Sequence, residues 1–98
     1  MVNLPPSIEI VEVGPRDGLQ NETEILTVST RIEFIKRLVD AGIRRMEAVS
    51  FVHPKRVPQM ADAEAVIGSL PDNDGVTYIG LVLNKRGLDR AIEAGCKE

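Results

Sequence analysis

Short β-branched runs alternate with amphipathic helical runs along this sequence, and each helical run returns to the next strand within a few residues. That order limits the fold more than any other feature. Ile8-Glu9-Ile10-Val11-Glu12-Val13 is strand-like in composition, bounded by Pro5-Pro6 and by Gly14-Pro15. We expect it to be a buried strand, followed by a polar loop from Arg16 to Glu24 that is too long for a tight turn. Val28, Ile32, Ile35 and Val39 then recur at helical spacing, with Arg31, Lys36, Arg37 and Asp40 on the other face. Thr27 is placed to cap this helix, Thr30 and Glu33 offer a capping box one turn later, and Gly42 is placed to end it.

Arg45-Met46-Glu47-Ala48-Val49 reads as the second strand, after a return of the length usual for a parallel sheet. Pro54 and Pro58 break the chain beyond it. Met60, Ala63, Ile67 and Leu70 line a second helix that ends near Pro71, because Pro-Asp-Asn-Asp-Gly is turn chemistry. A third strand runs from about Val76 to Leu83. Asn84 caps a third helix with Leu88, Ala91 and Ile92 pointing inward, and Gly95 closes it as Gly42 closes the first. The echo between Asp40-Ala41-Gly42-Ile43 and Glu93-Ala94-Gly95-Cys96 is a repeated helix-to-strand return.

The class is therefore α/β: three βα units, with Cys96-Lys97-Glu98 opening a fourth strand. Parallel sheets need both faces covered and their edges protected. We thus expect residues 1–98 to be the N-terminal part of one larger catalytic domain, either a doubly wound sheet or a barrel of roughly eight units and ~250 residues. Only 3% of residues are aromatic and Trp is absent, so the core must come from Val, Ile, Leu, Ala and Met. A formal charge of -3 argues against a nucleic-acid partner. Cys96, the one cysteine, has no internal disulfide partner, which fits a reducing compartment. Signal-peptide character and a membrane-length apolar run are both lacking, and we expect a cytoplasmic protein.

In such folds chemistry sits at the carboxyl ends of the strands. Arg16 and Asp17 follow the first one. A hard divalent cation favours carboxylate oxygen and an enolate favours a fixed guanidinium, so this adjacent pair can supply both. Glu12 and Gln20 can add polar contacts. The plainer reading, a surface turn carrying an ion pair, is equally compatible with Gly14-Pro15-Arg16-Asp17-Gly18 taken alone.

The longer run Val11-Glu12-Val13-Gly14-Pro15-Arg16-Asp17-Gly18-Leu19-Gln20-Asn21-Glu22 resembles the opening of the 3-hydroxy-3-methylglutaryl-coenzyme A lyases, a family of TIM-barrel metallolyases. The stretch from Glu47 to Met60 resembles that family's second-strand segment, and Asn84-Lys85-Arg86-Gly87 its third-strand end. The resemblance implies the first three βα units of a (β/α)8 barrel, cut at the start of the fourth strand. It also implies a magnesium- or manganese-dependent lyase that splits the acyl-CoA thioester 3-hydroxy-3-methylglutaryl-CoA into acetyl-CoA and acetoacetate. In that scheme Asp17 is a metal ligand and Arg16 stabilises the thioester enolate. Glu47 is an acidic residue supporting catalysis, and Gln20 contacts substrate. The family's other ligands, two histidines and an asparagine, and its catalytic cysteine match nothing up to Glu98. We expect a homo-oligomer for the full-length protein and an inactive 98-residue chain.

Competing readings attach to several residues. Glu47 is otherwise a rim carboxylate paired with Arg45 or Lys55, and His53 is a surface group rather than a metal ligand. Lys55 and Arg56 either meet coenzyme A phosphates or simply solvate their loop, the latter being favoured. Cys96 reads as a small buried apolar residue. Thr23 stands where many of these lyases have lysine, which leaves the acyl substrate open. A related metal-dependent aldolase or acyl-CoA-using synthase, and a truncated non-catalytic product, are the alternatives to the lyase.

Overall fold

Helix α1 (Val28–Asp40) begins where Thr27 is extended and its hydroxyl accepts a hydrogen bond from the Thr30 amide at 3.2 Å. It ends as expected at Gly42, whose φ of +106° lets the Ile43 amide bond back to the Leu38 carbonyl at 3.0 Å. The chain then enters β1 (Arg45–Ser50), crosses through a 3₁₀ turn (Pro58–Met60) and α2 (Ala63–Ser69), and returns as β2 (Thr77–Leu81). Helix α3 (Lys85–Glu93) follows, capped by Asn84, whose side chain accepts from the Gly87 amide at 2.8 Å. This computed structural model describes residues 7–71 and 75–98. The expected Pro5-Pro6 boundary and the Asp72-Asn73-Asp74 part of the turn lie outside them.

Strands β1 and β2 are parallel, from Arg45 opposite Thr77 to Ser50 opposite Leu81, with a bulge between Glu47 and Val49. Ile35 of α1 and Val66 and Ala63 of α2 pack with Met46, Ala48, Val49 and Phe51 into one core. Aliphatic and small residues dominate it, as the aromatic-poor composition requires. No helix among the described residues is long and apolar enough to cross a membrane.

Five expectations need correction. The Ile8–Val13 segment is not a buried strand: only Glu12 bridges to β1, opposite Met46, while Ile8 and Ile10 are 80% and 70% exposed. A β-branched run becomes a strand only where partners flank it, and here β1 pairs with a single residue. The third strand stops at Leu81, after the Phe51 amide has bonded to the Leu81 carbonyl at 2.9 Å, and Leu83 is exposed. Cys96–Glu98 form no strand, although the Gly80 amide donates to the Glu98 carbonyl at 2.9 Å.

Helix α3 buries Gly87 and Ala91, leaving Leu88 and Ile92 exposed. The small residues win because the helix lies too close for a larger face: a Cβ at Gly87 would sit 2.7 Å from the Phe51 carbonyl oxygen. Finally, Arg31 is not on a solvated face. It is 3% exposed, donates from Nη1 to the Ala61 carbonyl at 2.6 Å, and leaves Nε and Nη2 without a partner among the described residues. Burial lowers its pKa, and the nearby Asp62 opposes that shift.

Two buried donor nitrogens without a partner among the described residues cost about 1–3 kcal/mol each, comparable with or larger than the one charged hydrogen bond gained. Arg31→Met, which keeps the aliphatic bulk, is therefore expected to leave urea stability unchanged or raise it by about 1 kcal/mol. A loss of several kcal/mol would show that the guanidinium is fully satisfied in solution.

Candidate active site

Backbone pairing of Glu12 builds the site. Its amide donates to the Arg45 carbonyl at 3.0 Å and its carbonyl accepts from the Glu47 amide at 2.9 Å, which aligns Val13 with the middle of β1. Glu12 Oε2 then accepts from the Val13 amide at 3.0 Å and the Gly14 amide at 3.3 Å, fixing the turn that follows. That turn is a π-helical coil over Gly14–Gly18, with Pro15 buried beneath it. The polar loop expected from Arg16 onward thus opens inside a π-helical coil that carries Arg16 and Asp17.

Arg16 points from this coil across to β1. Its Nε and Nη2 both donate to Glu47 Oε1, at 2.8 and 2.6 Å, while Nη1 lies 3.4 Å from Asp17 Oδ1. The pair is largely shielded, with Arg16 17% and Glu47 26% exposed, so the guanidinium is held rather than solvated. Glu47 takes neither of the partners weighed for it: Arg45 instead pairs with Glu9 at 3.1 Å and with Glu98. In this geometry Glu47 acts on Arg16.

Asp17 is half exposed, and among the described residues its Oδ1 has only long contacts, to Arg16 and to Asn21 Nδ2 at 3.3 Å. A half-solvated carboxylate with weak internal bonds suits an oxygen-ligated divalent ion as one ligand among several. Among the described residues no group of three His, Cys, Asp or Glu converges to hold a metal. Gln20 is partly buried, and its Oε1 has no partner among the described residues.

Sequence reasoning missed Ser50. It is fully buried and its hydroxyl has no partner among the described residues. The register puts Glu47 opposite Ile79 and Ser50 opposite Leu81, two residues on along β2, so Glu47 and Ser50 share a face. Without the bulge they would lie on opposite faces, and sequence carries no signal of it. His53 is exposed and its Nδ1 accepts from the Lys55 amide at 3.2 Å. Cys96 is half-buried, and burial raises its thiol pKa, away from the thiolate a nucleophile needs.

The model of the HMGL-like family matches residues 7–98. The chain belongs to the HMGL-like family. It is 49% identical over 92 residues to the hydroxymethylglutaryl-CoA lyase of Pseudomonas mevalonii, covering 94% of this chain and 31% of the relative. The crystal structure of the Pseudomonas aeruginosa hydroxymethylglutaryl-CoA lyase superposes with a TM-score of 0.92 at 45% identity, over 98% of this chain and 32% of that one. An HMG-CoA lyase of Acinetobacter baumannii, solved in complex with coenzyme A and 3-methylmalate, superposes with a TM-score of 0.85 at 39% identity, over 90% and 29% of the two chains. This HMGL-like chain therefore spans about a third of the length of the relatives it matches. The expected class, α/β with the opening βα units of a (β/α)8 barrel, is borne out by these superpositions.

Proposed function

We propose that this HMGL-like chain carries part of the active site of a metal-dependent lyase that cleaves 3-hydroxy-3-methylglutaryl-CoA to acetyl-CoA and acetoacetate. The observation that carries this reading is the Arg16 guanidinium, pinned by Glu47 beside the half-free carboxylate of Asp17 at the strand ends.

The reaction removes the proton of the C3 hydroxyl and breaks the C2–C3 bond. The bonding electron pair is left on C2 as a thioester enolate, which a proton then quenches. Its energetic problem is negative charge on the thioester oxygen. Arg16 answers it with N–H donors not used by Glu47, in a setting shielded enough to strengthen them. Glu47 positions that guanidinium, so the donors need not be organised during the reaction. Asp17 is the residue that would hold a magnesium or manganese ion, whose chemistry when bound is to acidify the substrate hydroxyl. Gln20, in the loop that follows Asp17, is the residue that would contact the acyl portion. The likeness to the lyases, at 45–49% identity, supports the same assignment. We further read the protein as cytoplasmic and homo-oligomeric, acting on a small thioester rather than on nucleic acid or membrane.

The test is to incubate the full-length protein with 3-hydroxy-3-methylglutaryl-CoA and quantify acetyl-CoA and acetoacetate. Equimolar products are expected, abolished by EDTA and restored by Mg²⁺ or Mn²⁺. Failure of metal-replete protein to form either product would refute the reading.

A further inference from the structure

The coil that carries Arg16 and Asp17 is held firmly where the chain enters it, by the backbone bonds of Glu12 to β1, and far less firmly where the chain leaves. Its last two backbone bonds are long. The Asn21 amide reaches the Asp17 carbonyl at 3.3 Å and the Glu22 amide reaches the Leu19 carbonyl at 3.2 Å, at or just past the end of the usual range for N–H donors. Beyond them, no hydrogen bond or ion pair among the described residues holds Thr23, Glu24, Ile25 or Leu26, and Ile25 is exposed. Backbone bonding alone leaves this exit loose.

Two side-chain amides close it. Asn21 Nδ2 donates to the Asp17 carbonyl at 2.9 Å, besides its longer contact with Asp17 Oδ1. Gln59 Nε2 donates to the Glu22 carbonyl at 2.8 Å, from 37 residues along the chain. Gln59 stands on a firm base. It belongs to the 3₁₀ turn Pro58–Met60, in which proline fixes the backbone at the start. The Met60 amide bonds to the Val57 carbonyl at 3.0 Å, and the Met60 side chain is only 1% exposed. Met60 ties the turn to the interior, and Gln59 ties the loop to the turn.

We propose that Gln59 is a positioning residue for Asp17, acting through the exit of the loop that carries it. This rests on the lyase reading for the divalent ion that Asp17 holds. The Glu22 carbonyl follows Asn21 directly, so holding it fixes the residue whose side chain bonds to Asp17. Asp17 itself is half exposed and weakly bonded, and its backbone must therefore be held from outside if the carboxylate is to meet a cation already in place. Partners one step removed from a metal commonly do this, setting affinity without touching the ion. Nothing along the sequence relates Gln59 to Asp17. The fold alone brings the loop after β1 against the exit of the first loop.

The test uses the full-length protein with Gln59→Ala, with Gln59→Glu, which keeps the shape and loses the donor, and with Asn21→Ala alone and combined with Gln59→Ala. Each is titrated calorimetrically with Mn²⁺ alone, which needs no turnover. Both Gln59 variants are expected to bind Mn²⁺ about fivefold more weakly, equivalent to about 1 kcal/mol and in line with the net worth of one hydrogen bond. Their circular dichroism and urea midpoints should stay close to those of the parent. The double variant should be little weaker than the more affected single one, because both side chains act on one turn. Parental Mn²⁺ affinity in folded Gln59→Ala or Gln59→Glu overturns the proposal. So does an affinity that falls only together with the urea midpoint, or a double variant whose loss is the product of the single losses. A parent that binds Mn²⁺ but cleaves no thioester fails the lyase reading alone, whereas a parent that binds none overturns both.

Discussion

Arg16→Gln in the full-length protein is expected to lower kcat for thioester cleavage about 10²-fold or more, with metal affinity little changed. Glutamine keeps hydrogen-bonding capacity but loses the fixed positive charge, and the charge matters most when the enolate forms. Because Nε and Nη2 are both spent on Glu47, the same geometry predicts that Glu47→Gln costs less than Arg16→Gln. It leaves the guanidinium in place but less firmly oriented. Turnover by both variants, metal affinity by calorimetry and folding by circular dichroism check this. Arg16→Gln at parental turnover would remove the enolate-stabilising role.

The second large effect is structural. Gly87→Ala is expected to destabilise the protein by about 1–3 kcal/mol, the usual cost of overpacking. The added Cβ meets the Phe51 carbonyl oxygen at 2.7 Å, and backbone does not move aside as a side-chain tip does. Gly68→Ala is the matched control: nothing lies within 4 Å of its added Cβ, and it sits in helix α2. There alanine should be neutral or stabilising by up to about 1 kcal/mol. Urea melts of both variants test the pair. Equal effects would mean that the Gly87 contact is relieved by a helix shift.

The elements whose signals are local were legible in sequence. Thr27 and Asn84 accept from the amides their capping roles require, and Gly42 and Gly95 take the positive φ that ends α1 and α3. The pair Arg16-Asp17 was a candidate from its place after a strand-like run, but that motif alone fits a surface turn equally well, and it was the longer resemblance from Val11 to Glu22 that favoured a site. The misreadings all concern partners. Ile8 and Ile10 have the right composition for a strand, yet solvent meets them because β-branching does not supply a neighbour. Helical periodicity puts Arg31 on the outer face, but the segment ahead of α2 meets it there, with the Ala61 carbonyl accepting from its Nη1. Ala91 is buried as expected, but Leu88 and Ile92 are exposed, because the close approach of Gly87 to Phe51 favours the smaller face.

For the strand end at Gly14–Gly18, sequence alone determined which side chains are delivered and that they follow a strand-like segment. Tertiary structure decided what they do there. The backbone bonds between Glu12 and β1 bring Glu47 to Arg16 across 31 residues, and the bulge turns Ser50 onto Glu47's face. Local conformational preference acts over a few residues and can be read along a chain. Pairing register is set by which segments meet, and it exists only once they have met.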